Sequence, residues 1–117
     1  MRTINLFVVH CSATREDCTL SPEALDVMHR RRGFNGTGYH YYIRKDGTLY
    51  LTRSLERIGA HAKGFNAHSI GICYEGGLDC RGHPADTRTP AQRATLRQLV
   101  TDLEPVSYTH LTLPTNS

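Results

Sequence analysis

Hydrophobic and polar positions divide the chain into short runs with two different periods. Residues 4–10 (Ile-Asn-Leu-Phe-Val-Val-His) are apolar and partly β-branched, too short for a typical helix and suited to a central strand covered on both faces. A polar segment, residues 12–17, follows where such a strand opens into a cleft. Ser21-Pro22 reads as an N-cap with proline at the first helical position and Glu23 in the first turn. Leu25 and Met28 share a face of that helix, which is expected to stop at Gly33. Residues 33–38 hold three glycines and an asparagine and form a loop.

Residues 39–43 and 48–51 are rich in strand-forming types and flank Arg44-Lys45-Asp46-Gly47, a strong hairpin signal. Residues 69–74 form another short apolar strand, closed by Gly76-Gly77. Thr89-Pro90-Ala91-Gln92 has the pattern of a capping box with proline at the first helical position. Leu96, Leu99, Val100 and Leu103 then recur at helical spacing and give an amphipathic helix that Glu104-Pro105 stops. The order strand, helix, hairpin, strand, helix predicts the α/β class: a single mixed β-sheet flanked by helices.

At 117 residues, 38% hydrophobic and 21% charged, the chain has the balance of one soluble globular domain. No apolar run approaches the roughly 20 residues of a spanning helix, so no membrane is expected. The first residues lack the apolar stretch and cleavage site of a signal peptide, which points to a cytoplasmic protein. A formal net charge of +3 permits an anionic partner without requiring one. The run His29-Arg30-Arg31-Arg32 reads as a solvated helix end, and no interleaved aromatics support a nucleic-acid partner. The four cysteines include no C-x-x-C pair and are expected to be reduced thiols.

Seven histidines are many for this length. His10 ends a buried strand beside a polar segment, a position that serves either a hydrogen-bonded structural histidine or a ligand. Tyr39 and His40 are adjacent in a predicted strand and so are expected on opposite faces. His61 lies in the small-residue loop Gly59-Ala60-His61-Ala62-Lys63-Gly64, while His29, His68 and His83 read as surface residues. There is no H-E-x-x-H, G-x-S-x-G, P-loop or EF-hand pattern. Residue types and spacing alone therefore stop at a small α/β domain with a histidine-rich cleft.

Taken together, the segments say more. Val9-His10-Cys11-Ser12-Ala13-Thr14, Gly38-Tyr39-His40-Tyr41-Tyr42-Ile43 and Asp46-Gly47-Thr48 resemble the zinc-dependent N-acetylmuramoyl-L-alanine amidases. The loop from Gly59 through Asn66, then Ala67-His68-Ser69-Ile70-Gly71-Ile72, Gly76-Gly77-Leu78-Asp79 and Thr89-Pro90-Ala91-Gln92 extend the likeness in order over residues 4–103. The branch it resembles is the phage lysozyme type, related to animal peptidoglycan recognition proteins. That resemblance implies hydrolysis of the amide joining the lactyl group of N-acetylmuramic acid to L-alanine. It implies one Zn²⁺ held by two histidines and a cysteine or aspartate, with water in the fourth position. His10 matches the first metal ligand, Tyr39 the active-site tyrosine, His61 a substrate-contacting histidine and Lys63 a contact for a stem-peptide carboxylate.

Two departures qualify the likeness. Cys73 stands where some bacterial members place a catalytic glutamate, which leaves Glu75, two residues on, as a distant substitute. The family takes its second histidine ligand, a lysine and its cysteine ligand from a segment after the second helix, yet no cysteine lies beyond Cys80 and His110 is followed by Leu-Thr-Leu-Pro. The expectation is an amidase domain over residues 1–104 that lacks its C-terminal part, then a non-native-looking or disordered tail over 105–117. Such a chain is expected to bind zinc poorly and to be impaired. Its partner is expected to be peptidoglycan, met as a monomer and reached from the cytoplasm only at lysis. A non-catalytic peptidoglycan-binding protein is the alternative.

Overall fold

The computed structural model describes residues 2–106 and 110–112. Its centre is β1 (Leu6–Cys11), whose four middle residues are all buried, as an apolar run covered on both faces demands. On one side β1 pairs in parallel with β5 (Ser69–Tyr74), in a register that sets His10 opposite Cys73. On the other side it pairs in parallel with β7 (His110–Thr112). Beyond β5 lie β3 (Tyr41–Ile43), parallel to it, and then β4 (Leu49–Leu51), antiparallel to β3. The sheet order is β4-β3-β5-β1-β7. The mixed sheet and its helices agree with the expected class.

The hairpin turns where Asp46-Gly47 stands. Gly47 adopts φ +88°, Asp46 Oδ1 accepts from the Thr48 N–H, and Arg44 N–H donates to the Thr48 carbonyl. A second, two-stranded sheet pairs β2 (Thr14–Arg15) with β6 (Gly77–Leu78). Two-residue strands carry no readable period, and neither was anticipated.

Helix α1 (Pro22–Arg31) begins where expected: Ser21 Oγ accepts from the Ala24 N–H at 3.1 Å, with proline in the first turn. Its inward stripe differs from the expected one, because Leu25 is buried with His29 rather than with Met28, which is 42% exposed. Helix α2 (Pro90–Leu103) carries the full capping box, with Thr89 Oγ1 and Gln92 Oε1 each accepting from the other's backbone N–H. The buried Gln92 amide also donates to the Glu75 and Ile43 carbonyls, which fastens the helix start to the sheet.

The two helices cover opposite faces. Leu96, Leu99 and Leu103 of α2 pack on Phe7, Val9, Ile43, Ile70 and Ile72, while Leu25 of α1 packs on Tyr42 and Cys73. Of the segment expected as a tail, residues 110–112 are an edge strand, while 107–109 and 113–117 lie outside the described residues. All four cysteines are free thiols. No described helix is long and apolar enough to cross a membrane.

Candidate active site

Alternation along β1 sends Phe7 and Val9 to the α2 face and His10 to the α1 face. Two rings meet it there. The Tyr39 ring centroid lies 5.2 Å from that of His10, and His61 stands edge-on at 5.0 Å. Tyr39 is flanked on another side by His29, also at 5.2 Å. The structure thus brings His10, Tyr39 and His61 into one cluster. Lys63 is exposed on the same loop as His61, two residues beyond it.

The His61 loop is held from several directions. Asn66 Oδ1 accepts from the backbone N–H groups of His61 and Ala62 at 3.0 and 2.9 Å. Arg2 donates to the carbonyls of Leu55, Ala67 and Ser69, and so ties the N-terminus to the segments on both sides of the loop. The His61 ring occupies a slot that only glycines leave open. A Cβ at position 71 would lie 2.5 Å from that ring, and one at position 59 would lie 2.6 Å from it.

Tyr39 and His40 were expected on opposite faces, but β3 starts only at Tyr41, so strand alternation does not govern them. Tyr39 packs with Leu25, Tyr42 and Cys73, and the His40 ring also lies beside His61 at 6.0 Å. His40 is structural. Its Nδ1 accepts the Gly71 N–H at 3.0 Å, so in the neutral ring Nε2 carries the proton and donates to the Arg57 carbonyl at 2.8 Å. The nearby Arg2 guanidinium, itself only a donor, packs against that nitrogen without bonding to it.

His29, read from sequence as a surface residue, is 5% exposed, and its Nδ1 accepts the Gly38 N–H at 3.0 Å. It thereby fixes the residue that leads into Tyr39. The signal was present in the spacing, since Leu25 and His29 stand one helical turn apart. Glu75 is not a catalytic carboxylate beside this cluster. It is buried, ion-paired with Arg44 at 2.8 Å, and accepts from the Leu20 and Lys45 N–H groups. Burial opposes its ionisation, but the Arg44 hydrogen bond and those N–H groups outweigh it and hold the carboxyl below its usual range.

Burial dominates the electrostatics of the site. It lowers His10 to about 4 and, helped by the neighbouring His10 and His40, lowers His61 to about 3, so both rings are neutral at pH 7. Burial, then the Cys73 and Cys11 thiols, raises Tyr39 far above its ordinary value and keeps its hydroxyl protonated. His10 Nε2 lies 2.9 Å from His61 Nδ1, but His10 Nδ1 is buried and is the one such side-chain nitrogen or oxygen without a partner among the described residues. A buried polar atom left unmatched is costly in a fold and marks a place where a ligand belongs.

The arrangement has clear relatives. The model of the family described as N-acetylmuramoyl-L-alanine amidase matches residues 1–113. The chain belongs to that family. The endolysin of Klebsiella phage KP32 is 41% identical over 101 residues, which are 86% of this chain and 66% of the relative. The endolysin of Escherichia phage T7 is 40% identical over 95 residues, 81% of this chain and 63% of that one. The structure of N-acetylmuramoyl-L-alanine amidase LysC from Clostridium intestinale URNW superposes with a TM-score of 0.82 at 34% identity, covering 96% of this chain and 70% of that one. This family member spans about two thirds of the length of the curated relatives it matches.

The metal expected for the family can be set against these side chains. The orphaned Nδ1 makes His10 suitable as one ligand. Among the described residues no group of three or more His, Cys, Asp or Glu could hold an ion. The residues on hand therefore fit one ligand position and not a complete site.

Proposed function

We propose that this chain hydrolyses the N-acetylmuramoyl–L-alanine amide of peptidoglycan, as a monomer, with one Zn²⁺ as cofactor and His10 as one of its ligands. It stays in the cytoplasm until lysis and then acts on the bacterial cell wall. The observation that carries this reading is the pairing on one sheet face of Tyr39 with a histidine whose buried Nδ1 has no partner. Had the two side chains fallen on opposite faces, the reading would have collapsed.

A Zn²⁺ held in part by His10 would supply a bound water acidified towards ~7 and a Lewis acid for the scissile carbonyl. His10, neutral at pH 7, contributes a lone pair for a metal ion. Tyr39, its hydroxyl kept protonated by burial, is the donor for a developing oxyanion. Lys63, exposed two residues beyond His61, meets a stem-peptide carboxylate. With His10 as one ligand and no group of three among the described residues to complete a site, the 117-residue chain by itself binds zinc weakly and turns over slowly. That same shortage favours a second reading, a peptidoglycan binder without catalysis.

Equilibrium dialysis for zinc, run beside mass spectrometry of digested muropeptides, separates these readings. The expected result is weak zinc binding with slow, zinc-stimulated release of peptides bearing a free L-alanine amino group, abolished in His10→Ala. In Tyr39→Phe the loss is about 100-fold. Binding of muropeptide with no release at any zinc concentration would replace the hydrolase with the binder. Stoichiometric tight zinc with rapid turnover would overturn the impairment.

A further inference from the structure

The His61 ring has no nitrogen left to offer a substrate. Its Nδ1 faces His10 Nε2 at 2.9 Å and its Nε2 faces Ser69 Oγ at 3.2 Å. The ring is packed against the backbone of Gly59 and Gly71. Its own N–H is taken by Asn66. A residue that recognises a ligand by hydrogen bonding needs a free donor or acceptor turned to the cleft. Both nitrogens of this ring are committed inside the protein, and Ser69, at their far end, is fully buried.

We infer that His61 is a positioning residue acting through His10, with Ser69 as its anchor: the Ser69–His61–His10 chain keeps the His10 proton on Nε2 and leaves Nδ1 bare. The inference rests on the amidase reading for the task of that Nδ1, but not for the relay itself. A neutral imidazole has one N–H and one lone pair, so the direction of one hydrogen bond sets the next. If His61 Nε2–H donates to Ser69 Oγ, His61 Nδ1 is an acceptor and His10 Nε2 must be its donor. Were Ser69 the donor instead, the proton would end on His10 Nδ1, as a buried N–H without an acceptor. The first direction leaves over the Ser69 hydroxyl hydrogen, which can rotate to seek another acceptor, whereas the second fixes a buried ring N–H at a place with none; only the bare nitrogen can bind a metal ion. Ligating histidines usually engage their second nitrogen with a carboxylate or carbonyl. Here a neutral histidine takes that place, which orients the ring without adding negative charge.

Long-range ¹H–¹⁵N NMR of the histidine rings in the metal-free 117-residue chain at neutral pH reads the relay directly. The wild type is expected to show both His10 and His61 protonated on Nε2 alone. A His10 proton on Nδ1, or an even mixture of the two forms, would overturn the inference, and this measurement depends on no variant folding. In His61→Phe, His10 should become a tautomer mixture. In His61→Asn, whose amide oxygen takes the place of Nδ1, the single form should return. Titration with a muramyl tripeptide closes the argument: His61→Asn should keep the Kd within about twofold of wild type. A loss of about tenfold with the His10 spectrum unchanged would make His61 a substrate contact instead. If the wild type itself does not bind the tripeptide, the amidase reading fails while the tautomer still decides the relay.

Discussion

The two faces of the central sheet are built from alternate residues of the same strands, yet they do different work. Towards α2, Phe7, Val9, Ile70 and Ile72 meet Leu96, Leu99 and Leu103 in a cluster made of hydrocarbon. Towards α1, the intervening positions include His10, Ser69, Gly71 and Cys73, and they meet Tyr39 and His61 through packing, ring contacts and a hydrogen bond, with His29 lying behind Tyr39. The first face derives its stability from apolar burial, which is non-directional and tolerant of small shifts. The second depends on directed bonds in a low-dielectric setting, where each unmatched atom is costly. One strand therefore holds a solid backing and a chemical surface a single residue apart, and the backing keeps the surface rigid.

Four perturbations break or sharpen that contrast. The largest effect belongs to the α2 face: Phe7→Ala should cost about 4 kcal/mol in urea unfolding, since a fully buried ring leaves a cavity. Acid should instead load the α1 face. Burial holds His40 at about 4 in the fold against an ordinary 6.5, so between those values the unfolded chain binds more protons. Stability should therefore rise with pH across that window and fall on acidification, by roughly 3 kcal/mol from His40. Unfolding free energies measured from pH 4 to 7 check both sign and range, and a flat profile would contradict the assignment.

Gly71→Ala probes the slot under His61. A Cβ there would lie 2.5 Å from the ring, so a loss of about 2 kcal/mol is expected, with a shift of the His10 and His61 ring signals. Thr89→Ala should have the smallest effect, about 1 kcal/mol by thermal unfolding. It removes the Oγ1 acceptor that caps α2 and leaves the histidine signals unchanged, because the cap lies on the other face.

Local patterns were read well where a single turn of chain decides the outcome. Ser21-Pro22, Thr89-Pro90-Ala91-Gln92 and Asp46-Gly47 each carry their partners within a few residues, and each forms as its composition requires. The family-like segments named His10, Tyr39 and His61 before any geometry was known. His29 was misread because a basic neighbourhood suggested solvent, although its ring turns inward while Arg30, Arg31 and Arg32 remain exposed. Ser69 and Arg2 had no local signal, since their partners lie at separations of 8 to 67 residues.

The sequence by itself determined strands β1, β3, β4 and β5, both helix starts, the hairpin and three members of the ring cluster, His10, Tyr39 and His61. Those follow from hydrophobic period, capping and turn chemistry, which act over a few residues of chain. Only the tertiary structure decided which nitrogen of His10 is paired and which is free, why Tyr39 and His40 lie beside the same ring, and that His61 spends both its nitrogens internally. Hydrogen-bond direction and burial depend on what a fold places opposite each atom, and the identity of a residue does not contain that information.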